Sequence, residues 1–371
     1  MNNKISIVEC NDYTSESLSK ALREAVSKSP MPVVKGKTIL LKPNILSDTL
    51  SSACVTTNPE FLREVIRLLK EEGASKIYVG DSPGLAPLGF KPVKCGIYDV
   101  IKEENVTWVD FVKNQTTHKL NVGNKKINLP LATIINEVDL IFSLPKFKTH
   151  ELMYTTGSIK NLFGLVPGLH KSPNHLYFPS RNSFAKLIVE IFKIVKPDYT
   201  IMDGVIGMEG PGPANGKPKA INLIISGSNF PGVDSTQAII MGYKPMQIPI
   251  LRELASQKLF NFFDIEYPIL DPKDIPDKNF EKIEIREKTK FFSSLIIPFL
   301  SKGIEAKKQK QEKTPVFNDN CIKCGRCVKI CPAKALTMTD HGVKIDTNKC
   351  IRCYCCHEVC PANAIDIVGK N

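Results

Sequence analysis

The chain has 371 residues, enough for two or three domains and a sizeable core, and its 42% apolar content makes the body globular. Lys plus Arg exceed Asp plus Glu by 50 to 38, but the basic residues are spread along the chain. No basic–aromatic motif stands out, so the charge is read as solubility and steering, which argues against a nucleic-acid partner. Met1-Asn2-Asn3-Lys4 runs straight into a strand pattern without the apolar stretch of a signal peptide. The longest apolar run, 291–300, is broken by Ser293, Ser294 and Pro298 and is too short for a bilayer. A cytoplasmic protein without integral membrane association is therefore expected.

From the N-terminus, strands are expected at 5–9, 38–42, 76–80, 106–111, 138–144, 199–203 and 220–226. Most are continuously apolar, as strands covered on both faces are. Helices are expected at 15–27, 59–72, 183–195 and 233–241; the second opens with Pro59 after Asn58, a sound start signal. This alternation predicts an α/β body with a largely parallel sheet over 1–285. Residues 286–313 read as a connector whose second half, 301–313, has five lysines against two glutamates and behaves as a basic tether. Residues 314–371 form a separate C-terminal α+β domain.

Open parallel sheets bind ligands beyond the carboxyl ends of their strands. Four expected strand ends carry polar sequence: Lys42-Pro43-Asn44; Asp81-Ser82-Pro83-Gly84; Ser143 through Pro145-Lys146-Phe147-Lys148-Thr149-His150; and Asp203-Gly204 followed by Glu209-Gly210. Each is also good turn chemistry, and their recurrence favours a shared cleft. In addition, Gly157 and Ser158 precede a helical pattern with Lys160 one turn in, an arrangement that suits an anionic group. The G-x-x-x-x-G-K-[ST] spacing is absent, so ATP hydrolysis is not expected, and no G-x-G-x-x-G supports a nicotinamide cofactor. His150, His170 and His175 fall within 26 residues, and His150 directly follows a strand end.

Twelve cysteines raise the question of a disulfide framework, but nine lie between 321 and 360 at metal-ligand spacing, pointing to reduced thiols. Cys321, Cys324, Cys327 and Cys331 are followed by Pro332; 29 residues on, Cys350, Cys353, Cys356 and Cys360 are followed by Pro361. Each half reads C-x-x-C-x-x-C-x-x-x-C-P, the bacterial two-cluster ferredoxin pattern, in which the fourth cysteine ligates the other cluster. Two 4Fe-4S clusters are expected, one on Cys321, Cys324, Cys327 and Cys360, the other on Cys350, Cys353, Cys356 and Cys331. Register leaves Cys355 outside the ligand set, as packing or a free thiol.

The polar segments Lys42-Pro43-Asn44, Gly80 through Gly84, Pro145 through His150, Gly157 through Asn161, and Asp203-Gly204 with Glu209-Gly210 resemble the family catalogued as domain of unknown function 362, whose members often end in a ferredoxin segment. That family has no general assigned reaction, so the resemblance implies a site more than a function. The order His150, Lys160, His175 with Val166-Pro167-Gly168 is also similar to the nickel-pincer lactate racemases, where an equivalent lysine holds the cofactor and a histidine ligates nickel; this implies a cleft position and not nickel chemistry.

The combined reading is an iron–sulfur oxidoreductase passing electrons between an external redox protein and an anionic small molecule in the body. Lys146, Lys148 and Lys160 hold the anion, with Gly157, Ser158 and His175 in the binding set, and Asn44 orients it. His150 moves a proton, and Asp81, Asp203 and Glu209 act as acid/base groups or bind an additional metal or small cofactor. The alternative is an electron-relay or cofactor or cluster assembly protein acting on a partner without turnover of its own.

Overall fold

Strands that are apolar on both sides need a layer on each face, and the computed structural model, which describes residues 3–275, 279–285 and 313–369, supplies both. The expected tether falls almost wholly outside these residues.

In chain order the body runs β1 (Ser6–Glu9), α1 (Ser15–Lys28), β2 (Thr38–Pro43), α2 (Pro59–Glu71), β3 (Lys76–Val79), α3 (Ile97–Glu103) and β4 (Thr107–Trp108). The hairpin β5 (Gln115–Val122) and β6 (Lys125–Ala132) follows. Then come β7 (Leu140–Leu144), β8 (Lys146–His150), β9 (Tyr154–Thr155), α4 (Ser158–Asn161), α5 (Ser172–Tyr177) and α6 (Arg181–Val195). The body closes with β10 (Tyr199–Glu209), β11 (Lys217–Gly227), α7 (Phe230–Ile240) and α8 (Pro249–Ser256). The main sheet has the order β1-β11-β10-β7-β2-β3-β4. The neighbours from β10 to β4 are parallel, whereas β11 lies antiparallel between β10 and β1. This is a largely parallel α/β sheet with an antiparallel edge.

Alternate residues of one strand feed two cores. Ile39 and Leu41 pack with Leu62 and Ile66 of α2 and Leu18 of α1, while Leu40 packs on the other face with residues of α6, α7 and the hairpin. The helices start where sequence chemistry says they should: Thr14 caps α1, Asn58 caps α2 with Pro59 in the first turn, and Ser180 with Ser183 forms a capping box at α6.

Two differences from the sequence reading matter for the site. The strand expected at 199–203 continues to Glu209. Gly204, which reads as a turn residue, and Gly207 let backbones approach: a Cβ would stand 2.7 Å from Leu223 O at the first and 2.6 Å from Phe147 O at the second. The polar stretch after β7 is not a loop either. It forms β8, which pairs with β10 through Asp203↔Lys146 and Met208↔Lys148.

The C-terminal segment is a small α+β unit with strand pairs Thr314–Phe317 with Ile365–Val368 and Leu336–Thr339 with Gly342–Ile345, and short helices at Arg326–Ile330 and Cys355–Glu358. Among the described residues no helix is long and apolar enough to cross a membrane.

Candidate functional site

Because β2, β3 and β7 run parallel, their polar continuations emerge on one edge. A cavity of about 100 Å³ lies there. The body contributes Lys42, Asn44, Asp81, Lys148, His150, Lys160, Lys171 and His175; the C-terminal segment contributes Ile330, Cys355, Glu358 and Val359. Of the residues predicted for the cleft, six are thus gathered: Asn44, Asp81, Lys148, His150, Lys160 and His175.

Their partners decide what each is free to do. Lys42 and Asp81 form a buried ion pair at 2.9 Å; Lys42 also donates to Pro43 O (2.8 Å) and Asn161 Oδ1 (3.1 Å), while Asp81 accepts from the backbone N–H groups of Ile45 and Ser82. A carboxylate so occupied orders the strand ends rather than reacting. Gly164 is needed above the pair, since a Cβ would sit 2.1 Å from Asp81 Oδ1 and 2.3 Å from Lys42 Nζ. Lys148 donates to Val55 O (2.6 Å) and Pro213 O (3.4 Å), and burial, with Lys160 nearby, pushes it down to about 7. Lys171 donates to the carbonyls of Ser82 and Val166. For Lys160, also held below its ordinary range by burial, no hydrogen-bond or ion-pair partner is found among the described residues.

His150 does not have the freedom expected of a proton shuttle. Its Nδ1 accepts from the backbone of Leu152 (3.1 Å) and Met153 (3.4 Å), which leaves the proton on Nε2, 3.3 Å from Glu358 Oε1. Burial, with Lys160 nearby, pushes its pKa down to about 4. The ring is a neutral donor that orients Glu358. Burial alone would raise Glu358, but His150 and Lys160 hold it at about 2. His175 stacks on Phe184 with centroids 4.3 Å apart, and its buried Nδ1 has no partner among the described residues, as is also true of Asn44 Oδ1.

Five predicted residues are placed elsewhere. Lys146 and Asp203 are buried as a pair at 2.7 Å, with Tyr13 Oη donating to Asp203 Oδ1 (2.8 Å) and Asn58 N to Oδ2 (2.9 Å). This network locks β8 and β10 to the N-terminus of α2. Glu209 lies beyond the cavity wall at the end of β10, where it accepts from Glu281 N (2.9 Å). Gly157 and Ser158 do present an anion site, but an internal anion fills it. Asp234 accepts from Ser158 N and Oγ and from Ile159 N (3.2 Å), and a Cβ on Gly157 would meet Asp234 Oδ2 at 2.6 Å. Burial raises Asp234 to about 6.

The cysteines surround two further cavities. Cys321, Cys324, Cys327 and Cys360 line one; Cys331, Cys350, Cys353, Cys355 and Cys356 line the other. Cys327 lies in the field of Cys324, Cys360 and Cys321, and Cys350 in that of Cys353 and Cys331. Thiolate donors around a cavity, with no disulfide among them, fit a cubane cluster in each. Cys355 lines both the second of these cavities and the strand-end cavity.

The strand-end segments do not include Glu358, and the cysteine register makes Cys355 packing or a free thiol. A signal was present in the repeat itself. Where the first copy has Gly325, Arg326, Val328 and Lys329, the second has Tyr354, Cys355, His357 and Glu358. Tyr354, Cys355 and His357 are buried, and Tyr354 keeps the left-handed backbone of its glycine counterpart, φ 62° against 73°. The second copy is altered where it meets the body.

Residues 39–238 match the family described as Domain of unknown function (DUF362), and residues 320–364 match the 4Fe-4S dicluster domain. Over 289 residues the chain is 27% identical to the thylakoid-associated protein sll1697 of Synechocystis sp., covering 76% of this chain and 88% of that protein. It is also similar to two solved structures. One is a structural-genomics target from Thermotoga maritima, with TM-score 0.39 and 14% identity over 67% of this chain. The other is the lactate racemase apoprotein from Thermoanaerobacterium thermosaccharolyticum, with TM-score 0.41 and 13% identity over 62% of this chain. The chain covers 60% and 56% of those two proteins.

Proposed function

The chain belongs to the DUF362 family and carries a 4Fe-4S ferredoxin-like segment, and we propose that it is an iron–sulfur oxidoreductase acting on a small anionic molecule in the strand-end cavity. In this reading one cluster is held by Cys321, Cys324, Cys327 and Cys360 and its partner by Cys350, Cys353, Cys356 and Cys331. The clusters supply one-electron transfer, exchanged with an external redox protein. The division into a body at 1–285, a connector at 286–313 and a cluster domain from 314 belongs to the same proposal, as does a cytoplasmic location, which suits free thiols.

The observation that carries this reading is the double role of Cys355, whose side chain walls both the second cysteine cavity and the strand-end cavity. A substrate held there would be separated from the second proposed ligand set by Cys355, the neighbour of Cys356. Lys160 is the group that binds the anion, because Lys148 and Lys171 are engaged by carbonyls and Lys42 by Asp81. Asn44 and His175 orient the bound molecule. His150 holds Glu358 and does not itself move the proton. A further metal in the body has little support, since Asp81 and Asp203 are consumed by lysines.

The test uses anaerobic holo-protein reduced with one equivalent of dithionite per cluster. Reoxidation is followed by visible absorbance as small carboxylates and oxoanions are added. Reoxidation by at least one of them, lost in Lys160→Met at unchanged iron content, is the expected result. Reoxidation only by a second redox protein would favour the relay alternative.

A further inference from the structure

The two halves of the cysteine repeat share a spacing but not their surroundings. The second half faces the body: Ile351 and Val359 pack with Ile330, Cys353 and Cys355, in one apolar cluster with Leu85 of the body. Ile322, which matches Ile351, is 65% exposed, and of the twelve cysteines only Cys324, in the ligand set proposed for the first cluster, is exposed. Charge diverges as well. Residues 320–334 hold Lys323, Arg326, Lys329 and Lys334 and no carboxylate, with Asp319 and Asp340 outside the stretch; the matching 349–363 hold Lys349, Arg352 and Glu358. In the second half the cations are engaged: Lys349 pairs with Asp346 at 3.3 Å, and Arg352 donates to Cys350 O at 3.2 Å. In the first half Lys323 donates to Asp340 O at 2.6 Å, whereas Arg326, Lys329 and Lys334 are exposed and have no side-chain partner among the described residues.

We infer that the face carrying Ile322, Arg326 and Lys329 is the docking surface on which a small acidic electron-carrier protein exchanges electrons with the first cluster. Ile322 and Arg326 line the first cysteine cavity together with Cys321, Cys324, Cys327 and Cys360, so a protein seated on them touches the wall of that cavity. Arg326 and Lys329 stand three residues apart on the short helix Arg326–Ile330 and present their charges to the same side. An exposed isoleucine bordered by unpaired cations supplies what a transient interface needs: an apolar contact that forms and breaks, and a rim of one sign that steers a partner of the other. Electron-transfer encounters bury little area, so a small face suffices. The exchange is of one electron, the carrier being oxidised as the cluster is reduced or the reverse, with no bond made or broken. The second half of the repeat cannot serve, because its isoleucine is packed, none of its ligand cysteines is exposed, and Glu358 has the wrong sign. The inference names the partner of the proposed oxidoreductase and rests on that reading for the presence of the clusters.

Stopped-flow mixing of reduced, desalted anaerobic holo-protein with two oxidised probes tests it: plant plastocyanin, an acidic copper protein, and mitochondrial cytochrome c, a basic haem protein. The rate with plastocyanin should fall as salt is added, and the rate with cytochrome c should not. Arg326→Glu combined with Lys329→Glu should slow plastocyanin about tenfold without slowing cytochrome c, and the milder Arg326→Gln with Lys329→Gln about threefold. Ile322→Ser should slow plastocyanin and leave its salt dependence unchanged. Lys20→Glu with Lys28→Glu, on exposed positions of α1, makes the same change in net charge and should leave the plastocyanin rate within about twofold. Iron content should be unchanged in every variant. Equal slowing by the two charge-reversal pairs, or a plastocyanin rate untouched by Arg326→Glu with Lys329→Glu, would overturn the assignment. The expected plastocyanin pattern without reoxidation of the clusters by carboxylates or oxoanions would keep the surface and remove the oxidoreductase reading. Reoxidation by such a molecule with a plastocyanin rate blind to these variants would remove the surface alone.

Discussion

The cluster segment and the body cavity solve the same problem, gathering reactive side chains, by opposite means. In the cluster segment all eight cysteines proposed as ligands fall between 321 and 360, and each set of three sits within seven residues. Local turns do the positioning. In the cavity the residues run from Lys42 to Glu358, and only the common direction of the strands brings them together. A site built from local spacing can be read residue by residue, whereas a site built by topology contains many groups of the right type that serve the fold. Lys146 and Asp203 look like site residues and are a buried tie between strands; Glu358 looks like a surface residue of a ferredoxin and completes the pocket.

The largest effect should come from the local site. Cys324→Ser should lose or degrade one cluster of the two, lowering the expected content of about eight irons per chain, while Cys355→Ser should keep both. Iron and acid-labile sulfide analysis after anaerobic purification decides this. Loss of a cluster in Cys355→Ser alone would show that local register does not define the ligands, and the contrast between the two regions would fail.

Next in size is the tie between β8 and β10. Asp203→Ala leaves Lys146 buried and uncompensated and should cost about 3–5 kcal/mol in a denaturant titration. A change below about 1 kcal/mol, the range of an exposed pair, would mean that these residues are not the structural counterpart of the Lys42–Asp81 pair.

The internal anion comes third. Asp234→Asn replaces a carboxylate under Ser158 and Ile159 and should cost about 1–3 kcal/mol, because an amide NH2 cannot accept the hydrogen bonds that a carboxylate oxygen does. If the site is a true anion cradle, added phosphate or sulfate should partly restore stability in Asp234→Gly but not in the parent chain.

The smallest effect is a pH dependence. Lys148 titrates at about 7 in the folded chain against an ordinary 10.5, with burial the main cause. Between those values the unfolded chain binds this proton and the folded chain does not. Stability from this group is therefore lowest at and below pH 7 and rises as pH increases towards 10.5. The denaturation midpoint of the parent should show that rise relative to Lys148→Met. Parallel curves for the two would place Lys148 in contact with water rather than in the cavity wall.

The alternation of elements was legible because each strand is short, apolar and bounded by turn chemistry, and each long helix carries its own cap. The hairpin Gln115–Val122 with Lys125–Ala132 was not, because its strands alternate polar and apolar residues and contain Pro130. Gly204 in β10 misled for a physical reason, since small residues serve close strand approach as well as turns. In the cavity, Asn44, Asp81, Lys148, His150, Lys160 and His175 were legible as polar groups at strand ends, but their roles were not. Whether a lysine is free depends on the carbonyls that happen to surround it.

By itself the sequence determined the cysteine spacing, the α/β succession and the set of polar segments at strand ends, all of which are local properties of a few consecutive residues. Only the tertiary structure decided which charges cancel, which are left over, and that the second half of the cysteine repeat turns its altered face to the body. Burial makes that decision, because an ionised group taken out of water must find a partner, and partners distant in sequence are chosen by how strands and helices pack.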